Sequence, residues 1–211
     1  MAADAFLAFG PRKTPVQARS TVTVEAIFEA TVQVLLSHGA DRLTTTRVAQ
    51  RAGVSVGTLY QYYPNKQSLL FAVLEHHLDR VAARVEAACE STCQKPLAEM
   101  IRHMVEAFVD VKMERTDISV ALYRVAPDVG GPALMDKVKR RSRRALEALL
   151  ETAPDIESPP DKFAIEMMLS AMGGAMRSLL EAGPTPATVR KTRGQLVLLC
   201  QSYMAAATSM K

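Results

Sequence analysis

GVSVGTLYQYYPNK, residues 53–66, is the stretch on which the reading of this chain turns: fourteen positions holding two glycines, a proline and three tyrosines. Ser55 has the side chain of a helix N-cap. Pro64 pushes the residue before it out of the helical region, so a short helix is predicted over 55–63. Gly53 can take the left-handed conformation that ends a preceding helix. Upstream, Thr44 stands where an N-cap would open that helix, with Val48 and Ala49 facing inward. Helix 44–52, a turn at Gly53-Val54 and helix 55–63 have the dimensions of a helix-turn-helix.

The residue types suit that geometry. Ala49 is small where two helices cross closely. Val54 and Leu59 plug the junction, leaving Val56, Gly57, Thr58, Gln61 and Tyr62 to point outward. A helix of this width fits the major groove of B-DNA. There Gln61 can pair with an adenine edge, Tyr62 and Val56 can meet a thymine methyl, and Gly57 lets the backbone come close. A tight helical corner in an all-α core, with its tyrosines half buried, has the same spacing, and spacing alone leaves both readings open.

Working outward, helical periodicity continues in both directions. Ile27, Phe28, Thr31, Val34 and Leu35 recur at helical spacing before a stop at Gly39. Asn65 caps a long helix carrying Leu69, Leu70, Val73, Leu74, His77, Val81 and Val85 on one stripe. Further helices are predicted near 96–113, 116–126, 133–152, 161–182 and 186–207, punctuated by Gly130-Gly131-Pro132, Pro154 to Pro160 and Gly183 to Pro186. There is no alternating strand pattern and no internal repeat. The fold class expected is all-α: a basic arm over 1–20, a helix-turn-helix domain over 21–66, and a larger helical domain over 67–211.

Composition bounds the function. Of 211 residues, 48% are hydrophobic and 23% charged, ordinary values for a globular chain. The net charge of +4 is unevenly placed, with seven Lys/Arg against four Asp/Glu in residues 1–66. That is the balance of a segment facing an anion. The start, MAADAFLAFGPRK, has an acidic Asp4 and a short apolar patch and does not read as a signal peptide. No run reads as a membrane span, and three cysteines argue against a disulfide scaffold. A cytoplasmic protein without membrane contact is expected.

The run LTTTRVAQRAGVSVGTLYQYYPNKQSLLFAVLEHH closely resembles the DNA-binding signature of the TetR/AcrR family of bacterial transcriptional regulators. Agreement covers about residues 20–78 and includes Ala49, Ala52-Gly53-Val54, Ser55, Gly57, Leu59-Tyr60, the aromatic at 63 and Lys66. The resemblance implies a DNA-binding domain, a linking fourth helix, a ligand-responsive helical domain and dimerisation through the last two long helices. Carried over by position, Thr45, Thr46 and Arg47 contact phosphate or a neighbouring base. Val56, Gly57, Gln61 and Tyr62 face base edges, Thr58 and Tyr60 hold phosphates, and Lys66 adds another phosphate contact. Tyr63 matches a core position. Relatives often carry a longer polar or basic residue at 56, and Val56 leaves that contact apolar. The arm, with Arg12, Lys13 and Arg19, is a second candidate for the minor groove or the phosphates.

The C-terminal part carries no enzyme-like constellation, and no cofactor or metal is expected. Met100, Met104 and Phe108 share one helix face, and Ile165, Met168, Met172, Met176 and Leu179 share another, with His103 and Tyr123 as polar ends. Methionine is adaptable, so this set is the candidate pocket for a small apolar effector; methionines filling gaps in an ordinary core is the other reading. Met167, Ser170, Ala171, Gly174 and Ser178 form a second face of helix 161–182, small enough for a partner helix to come close. With Leu196, Leu199, Cys200 and Tyr203 from the last helix it predicts a symmetric homodimer.

KVKRRSRR, residues 137–144, is read as a solvated helix face and not a nucleic-acid patch. Cys89 and Cys93, near His76 and His77, invite a metal or thiol-switch reading, but the histidines lie more than two turns away. The function expected is a ligand-responsive, sequence-specific DNA-binding regulator, a repressor on a near-palindromic operator. The alternatives are a DNA-binding module without sequence choice and a cysteine-based redox sensor.

Overall fold

The computed structural model describes residues 18–209, with side chains from residue 21. Among them the chain forms helices α1 (Ala18–Arg42), α2 (Thr45–Ala52), α3 (Val56–Tyr62), α4 (Lys66–Ser91), α5 (Leu97–Glu114), α6 (Thr116–Val125), α7 (Gly131–Leu150), α8 (Lys162–Glu181) and α9 (Pro186–Ser209), with a 3-10 turn at Ala126–Val129. The described residues contain no strand. No helix is long and apolar enough to cross a membrane, among the described residues.

The chain divides into two compact units. The first holds the described residues up to Leu78 together with Asp117–Met135; the second holds Asp79–Thr116 and the described residues from Asp136 onward. Helix α4 contributes to both.

In the first unit, α1 packs on α2 and α2 on α3. Its buried side chains include Ile27, Val34, Leu35, Leu43, Val48, Ala49, Leu59, Leu69 and Phe71. Thr31 is buried among them, its hydroxyl donating to the Ile27 carbonyl at 2.7 Å, so that no polar group is left unmet. Gly39 interrupts α1 at φ 76°, ψ 170°, which is where the sequence placed a stop.

In the second unit, α9 packs against both α5 and α8. Helix α5 begins at Pro96, which offers no side-chain cap. The cap comes from Asp155, whose Oδ1 accepts the Leu97 N–H at 2.8 Å. Arg193 on α9 is ion-paired with Asp110 on α5, and Gln201 Nε2 donates to the Ala98 carbonyl at 2.6 Å.

The basic run on α7 departs from a wholly solvated face. Arg141 donates to Asp79 Oδ1 at 2.7 Å and to both Glu86 oxygens at 2.9 and 2.7 Å. Arg143 pairs with Glu147 at 2.9 Å and Glu166 at 3.3 Å. Lys139, Arg140 and Arg144 are the exposed remainder. Three of the six cations between 137 and 144 therefore bind α7 to its neighbours, Lys137 lying 3.8 Å from Asp79.

Candidate nucleic-acid interface

Local chemistry builds the interface. Thr44 is extended, and its Oγ1 accepts the Arg47 N–H at 3.3 Å, opening α2. Gly53 closes α2 in the left-handed region at φ 69°, and the Val54 N–H then reaches the Ala49 carbonyl at 3.0 Å. Ser55 opens α3 by accepting the Thr58 N–H at 2.9 Å. Tyr63, extended before Pro64, ends it. Asn65 and Ser68 then cap α4 reciprocally: Ser68 N–H donates to Asn65 Oδ1 at 2.8 Å and Asn65 N–H to Ser68 Oγ at 3.2 Å.

Between these caps, Val48, Ala49 and Leu59 are fully buried and hold the two short helices together. Val54, expected beside Leu59 in the plug, is only half-buried. Tyr63 is core, as its position implied, with its ring 5.9 Å from that of Phe28. Burial is the main cause holding its hydroxyl well above the usual phenol range, followed by the neighbouring Tyr62.

Thr46, Arg47, Gly57, Tyr60 and Gln61 are exposed; Thr45, Val56, Thr58, Tyr62 and Lys66 are half-buried. Several are held by hydrogen bonds the sequence did not announce. Thr45 Oγ1 and Tyr60 Oη are 3.1 Å apart. Arg47 Nη1 donates to the Arg42 carbonyl at 2.7 Å, and Lys66 Nζ to the Ala40 carbonyl at 3.2 Å. Arg51 Nε donates to Gln33 Oε1 at 2.6 Å, joining α2 to α1. The basic arm is not part of this picture: Arg12, Lys13 and the side chain of Arg19 lie outside the described residues.

The other candidate residues fall in two groups. Met100, Met104, Met168, Met172 and Met176 are buried in the second unit, with His103 and Phe108 half-buried there. Tyr123 belongs to the first unit. Along α8 and α9, Met167, Ser170, Gly174, Ser178 and Leu199 are exposed, and Tyr203 is half-buried. Leu196 does not join that face. It is 2% exposed, in line with Cys200 and Met204 on the stripe of α9 that faces its own chain. The apolar residues that α8 and α9 do present outward include Phe163 at 68% and Leu198 at 57% exposed, neither of which was anticipated. An apolar groove of about 180 Å³ lies on this face, lined by Met167, Met168, Ala171, Leu199, Cys200 and Tyr203.

The cysteines do not form a reactive pair. Burial pushes the Cys89 thiol up to about 12 and the Cys200 thiol up to about 11. Exposed Cys93 directs its thiol at the Cys89 carbonyl, 3.7 Å away, and not at the Cys89 sulfur. Among the described residues no three His, Cys, Asp or Glu side chains converge as a metal site.

Comparison with known proteins matches residues 27–73 to "Bacterial regulatory proteins, tetR family" and residues 96–204 to "Tetracyclin repressor-like, C-terminal domain". The second match alone spans more than half of the chain. The chain belongs to the TetR family of bacterial transcriptional regulators.

Among curated TetR-type relatives, the HTH-type transcriptional repressor KstR of Mycolicibacterium smegmatis is 38% identical over 58 residues, 28% of this chain and 28% of KstR. The nucleoid occlusion factor SlmA of Haemophilus influenzae is 33% identical over 76 residues, 35% of each chain. The chain thus aligns with about a third or less of the length of these relatives. Solved structures extend the likeness to the whole fold. A putative TetR-family regulator of Mesorhizobium loti superposes with TM-score 0.72 at 16% identity, over 90% of this chain and 98% of that one. The fatty acid degradation regulator FadR of Bacillus halodurans gives 0.65 at 16%, over 88% and 96%.

Proposed function

We propose that this TetR-family chain is a homodimeric, sequence-specific DNA-binding repressor, released from a near-palindromic operator by a small effector. The observation that carries the reading is the capped α2–Gly53–α3 corner. Buried Val48, Ala49 and Leu59 fix it from inside, while Thr46, Arg47, Gly57, Tyr60 and Gln61 face outward. Gln61 and Tyr62, with Val56 and Gly57, read base edges. Thr45, Thr46, Arg47, Thr58, Tyr60 and Lys66 hold phosphates or a neighbouring base.

The apolar face of α8 and α9, with its groove, supports pairing with a second copy of the chain. Two-fold symmetry then places two α3 helices on successive major grooves of one DNA face, which makes the operator a palindrome. Met100, Met104, Phe108, Met168, Met172 and Met176, with His103, all in the second unit, are the residues we assign to an apolar effector. That effector must bind the DNA-free form better, since differential affinity alone shifts an equilibrium. The name KstR carries, a transcriptional repressor, agrees with the sign of regulation proposed here.

The experiment is selection from a random double-stranded DNA library at near-physiological salt, with the retained fraction sequenced. Enrichment of a palindrome is the expected result. Retention that falls with salt equally for every sequence contradicts sequence choice and favours a non-specific DNA-binding module.

A further inference from the structure

The five residues Gly39–Leu43 run from the break in α1 toward the start of α2, and their backbone touches two basic side chains assigned to the interface. Gly39, at φ 76° and ψ 170°, occupies a region that is essentially reserved for glycine. Beyond it the chain folds back, the Leu43 N–H meeting the Ala40 carbonyl at 3.3 Å, and buried Leu43 pins the turn to the core. The turn presents two carbonyls. That of Ala40 also accepts Lys66 Nζ at 3.2 Å. That of Arg42 accepts Arg47 Nη1 at 2.7 Å. Lys66 opens α4 and Arg47 stands in the first turn of α2, so one short turn gathers cations from two helices.

We infer that the Gly39–Leu43 turn is the positioning element for the phosphate grip of Arg47 and Lys66, and that Gly39 is its positioning residue; this rests on the DNA-binding reading above. Each contact occupies one N–H. The ammonium has three and the guanidinium five, so both groups keep donors for a phosphate while their long side chains are held in place. Holding them before DNA arrives lowers the ordering cost of binding. A Cβ at Gly39 meets nothing within 4 Å, so a substitution there acts through backbone conformation and not through packing. An alanine redirects the turn, and both carbonyls leave their cations together.

The test uses the full chain as wild type, Gly39→Ala, the double variant Arg47→Gln/Lys66→Gln, and the triple combination. Affinity is measured by fluorescence anisotropy on a library-selected duplex and on a random-sequence duplex, across a salt series. Gly39→Ala is expected to weaken both duplexes by roughly ten-fold, the scale of a lost charge-assisted contact. It should also flatten the salt slope toward that of the double variant, which loses about two phosphate contacts' worth of slope, or about 1.8. The preference for the selected duplex stays unchanged, and in the triple variant Gly39→Ala adds little. A Gly39→Ala protein with the wild-type salt slope, or with a loss fully additive to the double variant, overturns the proposal.

Wild-type protein supplies a readout that needs no variant to fold. Nitrogen-15 relaxation of the Arg47 guanidinium in the DNA-free chain should report restricted motion, and a guanidinium as mobile as that of exposed Arg140 overturns the proposal. Wild type that binds neither duplex overturns the DNA-binding reading and this inference with it. Wild type that binds while the Gly39→Ala slope is unchanged overturns this inference alone.

Discussion

Thr45 Oγ1 and Tyr60 Oη lie 3.1 Å apart, a bond between the first residue of α2 and the middle of α3. Both residues are assigned to the DNA-facing surface, so the bond fixes one assigned contact relative to the other. Tyr60→Phe keeps the ring and removes the bond. A single net hydrogen bond of about 0.5–1.5 kcal/mol corresponds to a roughly two- to twelve-fold weaker DNA complex. The loss should be the same for every duplex, because the hydroxyl is assigned to backbone contact and not to base readout. Anisotropy titrations on selected and random duplexes separate the two outcomes.

Leu59 sits at the centre of the α2–α3 corner and is fully buried. Leu59→Ala should cost about 2–5 kcal/mol, the range for deleting a buried leucine side chain. Exposed Gln61, two residues on, should cost within about 0.5 kcal/mol when replaced by alanine. Thermal unfolding followed by circular dichroism compares them directly. Equal losses would contradict the assignment of one residue to the core and the other to the surface.

Leu198 and Leu199 are 57% and 50% exposed on α9. Placing a charge on the apolar centre of a dimer face disrupts it by leaving that charge without water or a partner. Leu199→Glu and Leu198→Glu should therefore halve the mass seen by light scattering at micromolar concentration. The fold of each protomer should remain, since neither side chain belongs to the core. Leu196→Glu should instead unfold the protomer, because Leu196 lies inside it.

Cys89 gives a pH signature with a definite sign. Its thiol titrates near 9 when unfolded and is pushed up to about 12 by burial in the folded chain. Between those values the folded state binds the proton that the unfolded state has released. The contribution is fully present below about pH 9 and is lost as pH rises toward 12, at up to about 1.4 kcal/mol per pH unit. Lys112 works in the opposite sense, since burial lowers it from 10.5 to about 8 and favours folding as pH rises between those values. Comparing urea midpoints of Cys89→Ala with wild type between pH 8 and 10.5 isolates the thiol. Above pH 9 the variant should lose less stability than wild type; parallel curves would contradict the burial cause.

The fold was legible to the extent that its signals are local. Thr44, Ser55 and Asn65 each cap a helix a few residues away, and Gly39 and Gly53 take backbone that other residues adopt only at a cost. Each cap is complete within a four-residue window, as is that of Asp161, which accepts the Ala164 N–H, and the bounds read from sequence there differ from Lys162–Glu181 by a residue. What could not be read acts over distance. Asp155 caps α5 across 58 residues, and Arg141 finds Asp79 and Glu86 from 62 and 55 residues away. Helix α9 carries two apolar stripes, and periodicity alone does not say which faces its own chain. Leu196 and Cys200, four residues apart, suit either stripe by spacing alone, and the structure buries both. At the candidate interface the caps and the buried Leu59 were legible, but the bonds of Arg47 and Lys66 to the Arg42 and Ala40 carbonyls were not, because backbone carbonyls leave no mark in a sequence.

The measurement that tests the central claim most directly is random-library selection carried out in parallel with wild type and Gln61→Ala. Wild type should yield a two-fold symmetric motif, its half-sites about one helical turn apart or a multiple of it. Gln61→Ala should keep the same spacing with one base position relaxed in each half-site. Discrimination there should fall by about 1–3 kcal/mol, the worth of a bidentate base contact. A wild-type selection without symmetry, or a Gln61→Ala motif identical to wild type at every position, would contradict that claim.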